Sequence, residues 1–118
     1  MNIKLYGIPN CDSVKKAKRW LSEHEIDYEF HDYKKLGADK TTLKLWSQAV
    51  GWETLLNKRG TTWRKLSDAD RGSELNENRA IQLMIENSSL IKRPVVTLDD
   101  TVMVGFDESE FTKNLLGS

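Results

Sequence analysis

N-I-K-L-Y-G-I-P-N-C-D-S-V-K-K-A, from Asn2 to Ala17, decides how this chain is read. Over Asn2 to Gly7 the apolar Ile3 and Leu5 alternate with Lys4 and Tyr6, the period of a β-strand, and Gly7 with Pro9 then stops the alternation. From Cys11 onward the spacing lengthens to a helical period. Val14, Ala17 and Leu21 share one stripe, while Lys15, Lys16 and Arg19 fall largely off it. The chain thus passes from strand to helix within a short turn, and Cys11 stands at the start of the helix. Asn10 is expected to cap that helix, because its side chain can accept from the unpaired amides of the first turn. The helix is expected to end near Glu25.

Outward from this stretch, Y-E-F-H-D-Y from Tyr28 to Tyr33 alternates aromatic with polar residues and predicts a second strand. Strand, helix and strand together span about thirty residues, enough for a parallel, right-handed crossover. Between about 38 and 90 the pattern is helical. Leu43, Trp46, Ala49 and Val50 fit one amphipathic helix, and Ala80, Ile81, Met84 and Ile85 fit another. N-K-R-G-T-T-W-R-K-L, from Asn57 to Leu66, keeps no period and predicts a loop or short turns. After Arg93-Pro94, V-V-T-L and T-V-M-V-G flank the turn-like Asp99-Asp100 and predict an antiparallel hairpin. A closing helix from about Asp107 to Leu116 would bury Phe111 and Leu115. A parallel pair, a hairpin and a final helix make an α/β, thioredoxin-like fold: a small mixed sheet flanked by helices, with a helical insertion at about 38–90.

The chain has 118 residues, of which 38% are hydrophobic, enough for one core and hence one domain over residues 1–118. Eighteen basic residues balance eighteen acidic ones, so no net field draws the protein to nucleic acid or anionic lipid, and neither is expected as a partner. No apolar run approaches the roughly 20 residues that span a bilayer. The opening residues show no apolar signal segment, and a cytoplasmic location is the expectation. A monomer is expected as well.

One cysteine, Cys11, leaves no internal disulfide and no multi-cysteine metal site. His24 and His31 stand apart in the sequence, so no metal site is expected. A thiol at a helix start faces unpaired amides, which favour its anionic form, and Lys15 follows one turn later. Cysteines so placed have pKa values lowered to roughly 3.5–7.5 and act as nucleophiles. The basic residues Lys58, Arg59, Arg64 and Lys65 surround Trp63. A guanidinium among them can bind a carboxylate or oxyanion through two parallel donors.

Four blocks together are specific enough to name a family. G-I-P-N-C-D-S-V-K-K-A (Gly7 to Ala17), N-K-R-G-T-T-W-R-K-L (Asn57 to Leu66), R-P-V-V (Arg93 to Val96) and V-G-F-D-E (Val104 to Glu108) resemble the ArsC/Spx family, and within it the YffB-like subgroup. The resemblance covers essentially the whole chain. It implies a thioredoxin-like domain with a nucleophilic cysteine at Cys11. In thioredoxin-like folds a cis proline at the place of Pro94 presents a backbone edge to a thiol substrate, while the sequence itself leaves the isomer of the Arg93-Pro94 bond open. Arsenate reductases of this type hold the oxyanion with arginines, two of which match Arg59 and Arg93. Gly7 replaces their histidine, Lys15 replaces an arginine, and a third arginine expected near Gly105-Phe106 is missing. Losing one such charge-assisted bond costs on the order of 1.5–3 kcal/mol of oxyanion binding.

The Spx branch, which binds RNA polymerase, switches through a C-x-x-C pair. Here that register reads Cys11-Asp12-Ser13-Val14, so no such disulfide can form. A lone thiol must be released from a mixed disulfide by a second thiol from outside. The expected function is therefore a glutathione-dependent thiol reductase with Cys11 as the catalytic residue. Asn10, Lys15, Arg59, Arg93 and Pro94 would bind glutathione or substrate. No tightly bound cofactor is expected; glutathione serves as external co-substrate, and glutaredoxin is a candidate partner. The alternatives are an Spx-like adaptor without catalysis and an arsenate reductase.

Overall fold

The structure is a computed structural model and describes residues 2–116. Residues 1, 117 and 118 of the expected domain lie outside the described residues. The described residues form two compact units, residues 2–36 with 93–116 and residues 37–92.

The first unit holds the sheet. Strand β1 (Ile3–Gly7) leads into helix α1 (Asp12–Glu23), strand β2 (Glu29–Asp32) and a helical turn α2 (Tyr33–Leu36). β1 and β2 are parallel, with Leu5 opposite Phe30 and Gly7 opposite Asp32, as the crossover requires. α1 ends at Glu23, two residues short of expectation, because Glu25 turns into the left-handed region at φ 56°. β2 likewise stops before Tyr33, whose backbone already belongs to α2.

At the other end of the chain, β3 (Val95–Leu98) and β4 (Thr101–Val104) form the expected hairpin across Asp99-Asp100, with Leu98 opposite Thr101. β3 pairs antiparallel with β1, and the sheet order is β2-β1-β3-β4. Gly105, at φ 82°, adopts a conformation that other residues rarely take, between β4 and the closing helix, which spans Glu108–Leu115. Asp107 caps this helix by accepting from the amide of Glu110.

Period-two alternation gives the sheet one greasy face. Phe30, Leu5, Val96 and Met103 lie opposite one another across the four strands. They pack with Val14, Ala17, Trp20 and Leu21 of α1 and with Phe111 and Leu115 of the closing helix. Phe111 is wholly buried and meets Trp20 and Phe106 edge-on, at centroid distances of 5.3 and 5.2 Å.

The second unit is helical. α3 (Lys40–Val50) is capped by Asp39, whose carboxylate accepts from the amide of Thr42. Single turns α4 (Trp52–Leu55), α5 (Thr61–Arg64) and α6 (Asp68–Arg71) follow, then α7 (Glu77–Glu86), capped by Asn76. α3 packs on α4 and α7. On α3, Leu43 and Trp46 are buried as expected, but Ala49 is exposed. Ser47 is buried instead, a polar residue made tolerable because its hydroxyl donates to Glu77 Oε2 at 2.6 Å. On α7 the buried set adds Leu83 to Ala80, Ile81 and Met84, and Ile85 is half-buried. No helix among the described residues is long and apolar enough to cross a membrane.

Candidate active site around Cys11

Parallel β1 and β2 and antiparallel β3 bring three chain segments to one end of the sheet. Gly7 lies opposite Asp32, and Tyr6 lies opposite Val95. The turn leading to Cys11, the start of α2 at Tyr33, and Arg93-Pro94 therefore share that end. The Arg93-Pro94 bond is cis, and the Pro94 carbonyl accepts from the amide of Gly105 at 2.8 Å.

Cys11 itself is the N-cap residue of α1, with extended backbone at φ −128° and ψ 125°. Its carbonyl accepts the first helical hydrogen bond, from the amide of Lys15 at 2.9 Å. The expected cap, Asn10, lies one residue before the cap position and is exposed, and the cap position has no side-chain hydrogen bond. The reason is geometric: a cap must be the last non-helical residue, and the helix begins at Asp12, not Cys11. The thiol is a free cysteine of intermediate exposure, packed on one side against the core cluster. Lys15 is exposed one turn along. Arg93 is half-buried, and Pro94 is buried.

Arg59 belongs to the helical unit, where its segment is built with some care. Asn57 Oδ1 accepts from the amide of Arg59 at 3.1 Å, and Asn57 Nδ2 donates to the Ser89 carbonyl at 3.2 Å. The Thr62 and Ser89 hydroxyls are hydrogen-bonded at 2.7 Å. This is the turn structure expected of Asn57 to Leu66, with an Asx turn holding the backbone and the Arg59 side chain exposed. Lys58 sits 5.5 Å from the Trp63 ring centroid. Among the described residues, no group of His, Cys, Asp and Glu is arranged to hold a metal ion.

A residue that sequence reasoning used only as a strand end is Tyr33. It is 3% exposed, and its hydroxyl is the one buried side-chain polar atom, among the described residues, without a hydrogen-bond partner. Such a group costs about 1–3 kcal/mol. Burial pushes the Tyr33 phenol well above its ordinary value, the neighbouring Tyr6 adds to this, and the charge of Arg93 opposes it. The ring lies 6.3 Å from Tyr6 and 5.7 Å from His31. No local period signals this, because Tyr33 leaves the strand and opens α2.

Comparison with known proteins bears on this arrangement. The ArsC family pattern matches residues 6–114. The solved structure of the YFFB protein is 46% identical, covers 97% of this chain and 99% of its own, and superposes with a TM-score of 0.92. An arsenate reductase (ArsC) related protein from Brucella melitensis is also 46% identical, with 98% and 95% covered and a TM-score of 0.76. The global transcriptional regulator Spx of Streptococcus agalactiae is 32% identical over 92% of this chain and 79% of its own length.

Proposed function

This chain belongs to the ArsC family, and from that premise we propose that it is a glutathione-dependent thiol reductase with Cys11 as its sole nucleophile. The observation that carries the reading is Cys11 itself, a partly exposed thiol in the N-cap position of α1 and the one cysteine of the chain.

The reaction class suits a single thiol. The Cys11 thiolate attacks the glutathione sulfur of a mixed disulfide between glutathione and a substrate thiol. A bond forms between Cys11 Sγ and the glutathione sulfur, the original S–S bond breaks, and the substrate leaves as a thiolate that takes up a proton. A second glutathione, as thiolate, attacks the glutathione sulfur of the adduct. Oxidised glutathione departs and the Cys11 thiolate returns, so the net exchange converts the mixed disulfide and one glutathione thiol into the substrate thiol and oxidised glutathione. Lys15 and Arg93 attract the carboxylates of the tripeptide, and the Asn10 turn borders the place where it lies. Pro94 shapes the edge along which the peptide backbone lies.

Mass spectrometry after exposure to oxidised glutathione tests this directly. One glutathione should attach to wild-type protein at Cys11, and reduced glutathione should remove it. Cys11→Ser should lose both the adduct and the turnover of a glutathionylated peptide while keeping its circular dichroism spectrum. Absence of any adduct on the wild type ends the proposal.

The likeness to Spx favours a second reading, an adaptor that binds a protein partner without turnover. Under it, Cys11→Ala keeps partner binding intact and no disulfide substrate is turned over. Arsenate-dependent turnover with glutathione and glutaredoxin would instead place the chain among the arsenate reductases, against the departures at Gly7, Lys15 and Gly105-Phe106.

A further inference from the structure

Strand β4 stands at one edge of the sheet, and its register shows which of its backbone groups face outward. The Gly105 amide donates to the Pro94 carbonyl at 2.8 Å. Bonded pairs alternate with open pairs along an antiparallel ladder, so the next bonded pairs are Val96 with Met103 and Leu98 with Thr101. The Asp99-Asp100 turn agrees, because a two-residue hairpin loop closes on a bonded pair. Val102 and Val104 stand between these pairs and turn their amides and carbonyls away from β3. Among the described residues no strand pairs with β4 on that side, and no hydrogen bond reaches the backbone of either valine there.

Charged residues commonly protect an edge strand against the addition of another strand. β2, at the opposite edge, carries Glu29 and Asp32. β4 reads T-V-M-V, without charge or proline. Val102 and Val104 are half-buried and lie on the sheet face away from Met103, where they offer an apolar neighbour to an added strand. Acids gather instead at the ends, with Asp99 and Asp100 before the strand and Asp107 and Glu108 after it, all exposed. A second copy paired antiparallel would set the acids at one end of its β4 beside those at the other end of this one, so the edge disfavours self-association. A cationic guest gains where a second copy loses.

We propose that β4 is a docking edge for an extended, basic segment of a partner protein, which adds antiparallel to it as a further strand. The guest backbone bonds to the amides and carbonyls of Val102 and Val104. Alternate apolar side chains of the guest lie beside these valines, and Lys or Arg at each end meets the flanking acids. No step involves Cys11, so the proposal stands apart from the thiol-exchange reading.

The probe is the end-blocked peptide Lys-Lys-Val-Thr-Val-Lys-Lys, added to the full chain and followed by amide hydrogen exchange. In the free protein the Val102 and Val104 amides should exchange faster than the Met103 amide, which β3 holds. Peptide at about ten times its Kd should slow the first two about tenfold, as mass action requires. The same peptide N-methylated at both valines keeps its charge but loses the donors that face the edge, and it should bind at least about tenfold more weakly. A peptide with Glu in place of each Lys should not bind. Asp100→Asn combined with Asp107→Asn keeps turn and cap chemistry, and it should raise the Kd of the basic peptide about fivefold.

No protection of Val102 and Val104 at about 5 mM peptide overturns the proposal. Equal binding by the N-methylated or the Glu peptide does the same, as does an unchanged Kd in the double variant. Protection of these amides that grows with protein concentration alone gives the edge to a second copy and overturns it too.

Discussion

Gly7 faces Val14 so closely that a Cβ on Gly7 would lie 2.6 Å from Val14 Cγ2. The last residue of β1 is thereby packed against the first turn of α1, and the turn that carries Cys11 runs between these two points. The matching place in the arsenate reductases that the chain resembles holds a histidine. Here any side chain at that place meets a fully buried neighbour.

Gly7→Ala should therefore destabilise the protein by about 1–3 kcal/mol, the usual penalty for overpacking. Thermal or urea denaturation measures it. Coupling to Val14→Ala provides the control: the double variant should be more stable than the two single losses added together, because the smaller side chain makes room. A Gly7→Ala protein as stable as wild type would show that Val14 yields without cost.

Helix capping separates Asn10 from residues of the same kind that do cap. Asn76 accepts from the amide of Arg79 at 2.9 Å, and Asp39 accepts from Thr42 at 3.1 Å. Asn76→Ala and Asp39→Ala should each cost about 0.5–2 kcal/mol. Asn10→Ala, which removes no capping bond, should change the unfolding midpoint little. If Asn10→Ala matched the other two, Asn10 and not Cys11 would be the working cap.

Acid should weaken the helical unit through Asp70. The Arg79 guanidinium donates to both of its carboxylate oxygens, at 2.8 and 3.0 Å. These hydrogen bonds first, with the charge of Arg79, hold Asp70 below the ordinary carboxylate range, against an opposing contribution from burial. A group depressed in the folded state contributes stability above its unfolded value, near pH 4, and loses it as the pH falls through the folded value. Asp70→Asn should thus be less stable than wild type at neutral pH, with the gap closing in acid. Urea denaturation across that range checks the sign, and a constant gap would remove the linkage.

Phe111 couples the closing helix to α1 and to the segment after β4, as its edge-on contacts with Trp20 and Phe106 indicate. Phe111→Ala should cost about 3–5 kcal/mol. The loss should register in denaturation and in Trp20 fluorescence together, and a loss under about 1 kcal/mol would mean that the cluster refills the space.

Much of the fold is legible from residues close together in the chain. Ile3 and Leu5 alternating before Gly7, the stripe through Val14, Ala17 and Leu21, and Val95 to Leu98 facing Thr101 to Val104 across Asp99-Asp100 are all local signals, and the structure realises each. Where a polar residue takes over a buried place, local pattern misleads. Ser47 looks like a surface residue until Glu77, thirty positions away, accepts its hydroxyl.

Sequence alone determined that a single thiol stands where a strand becomes a helix, that two strands run parallel through a crossover and that two more form a hairpin, because periodicity and turn residues act over a few neighbouring positions. Tertiary structure decided that β3 lies against β1, that the segments holding Tyr33 and Arg93 flank the same end of β1, and that Cys11 rather than Asn10 occupies the cap. Those outcomes depend on pairing and packing between residues far apart in the chain, which no local period encodes.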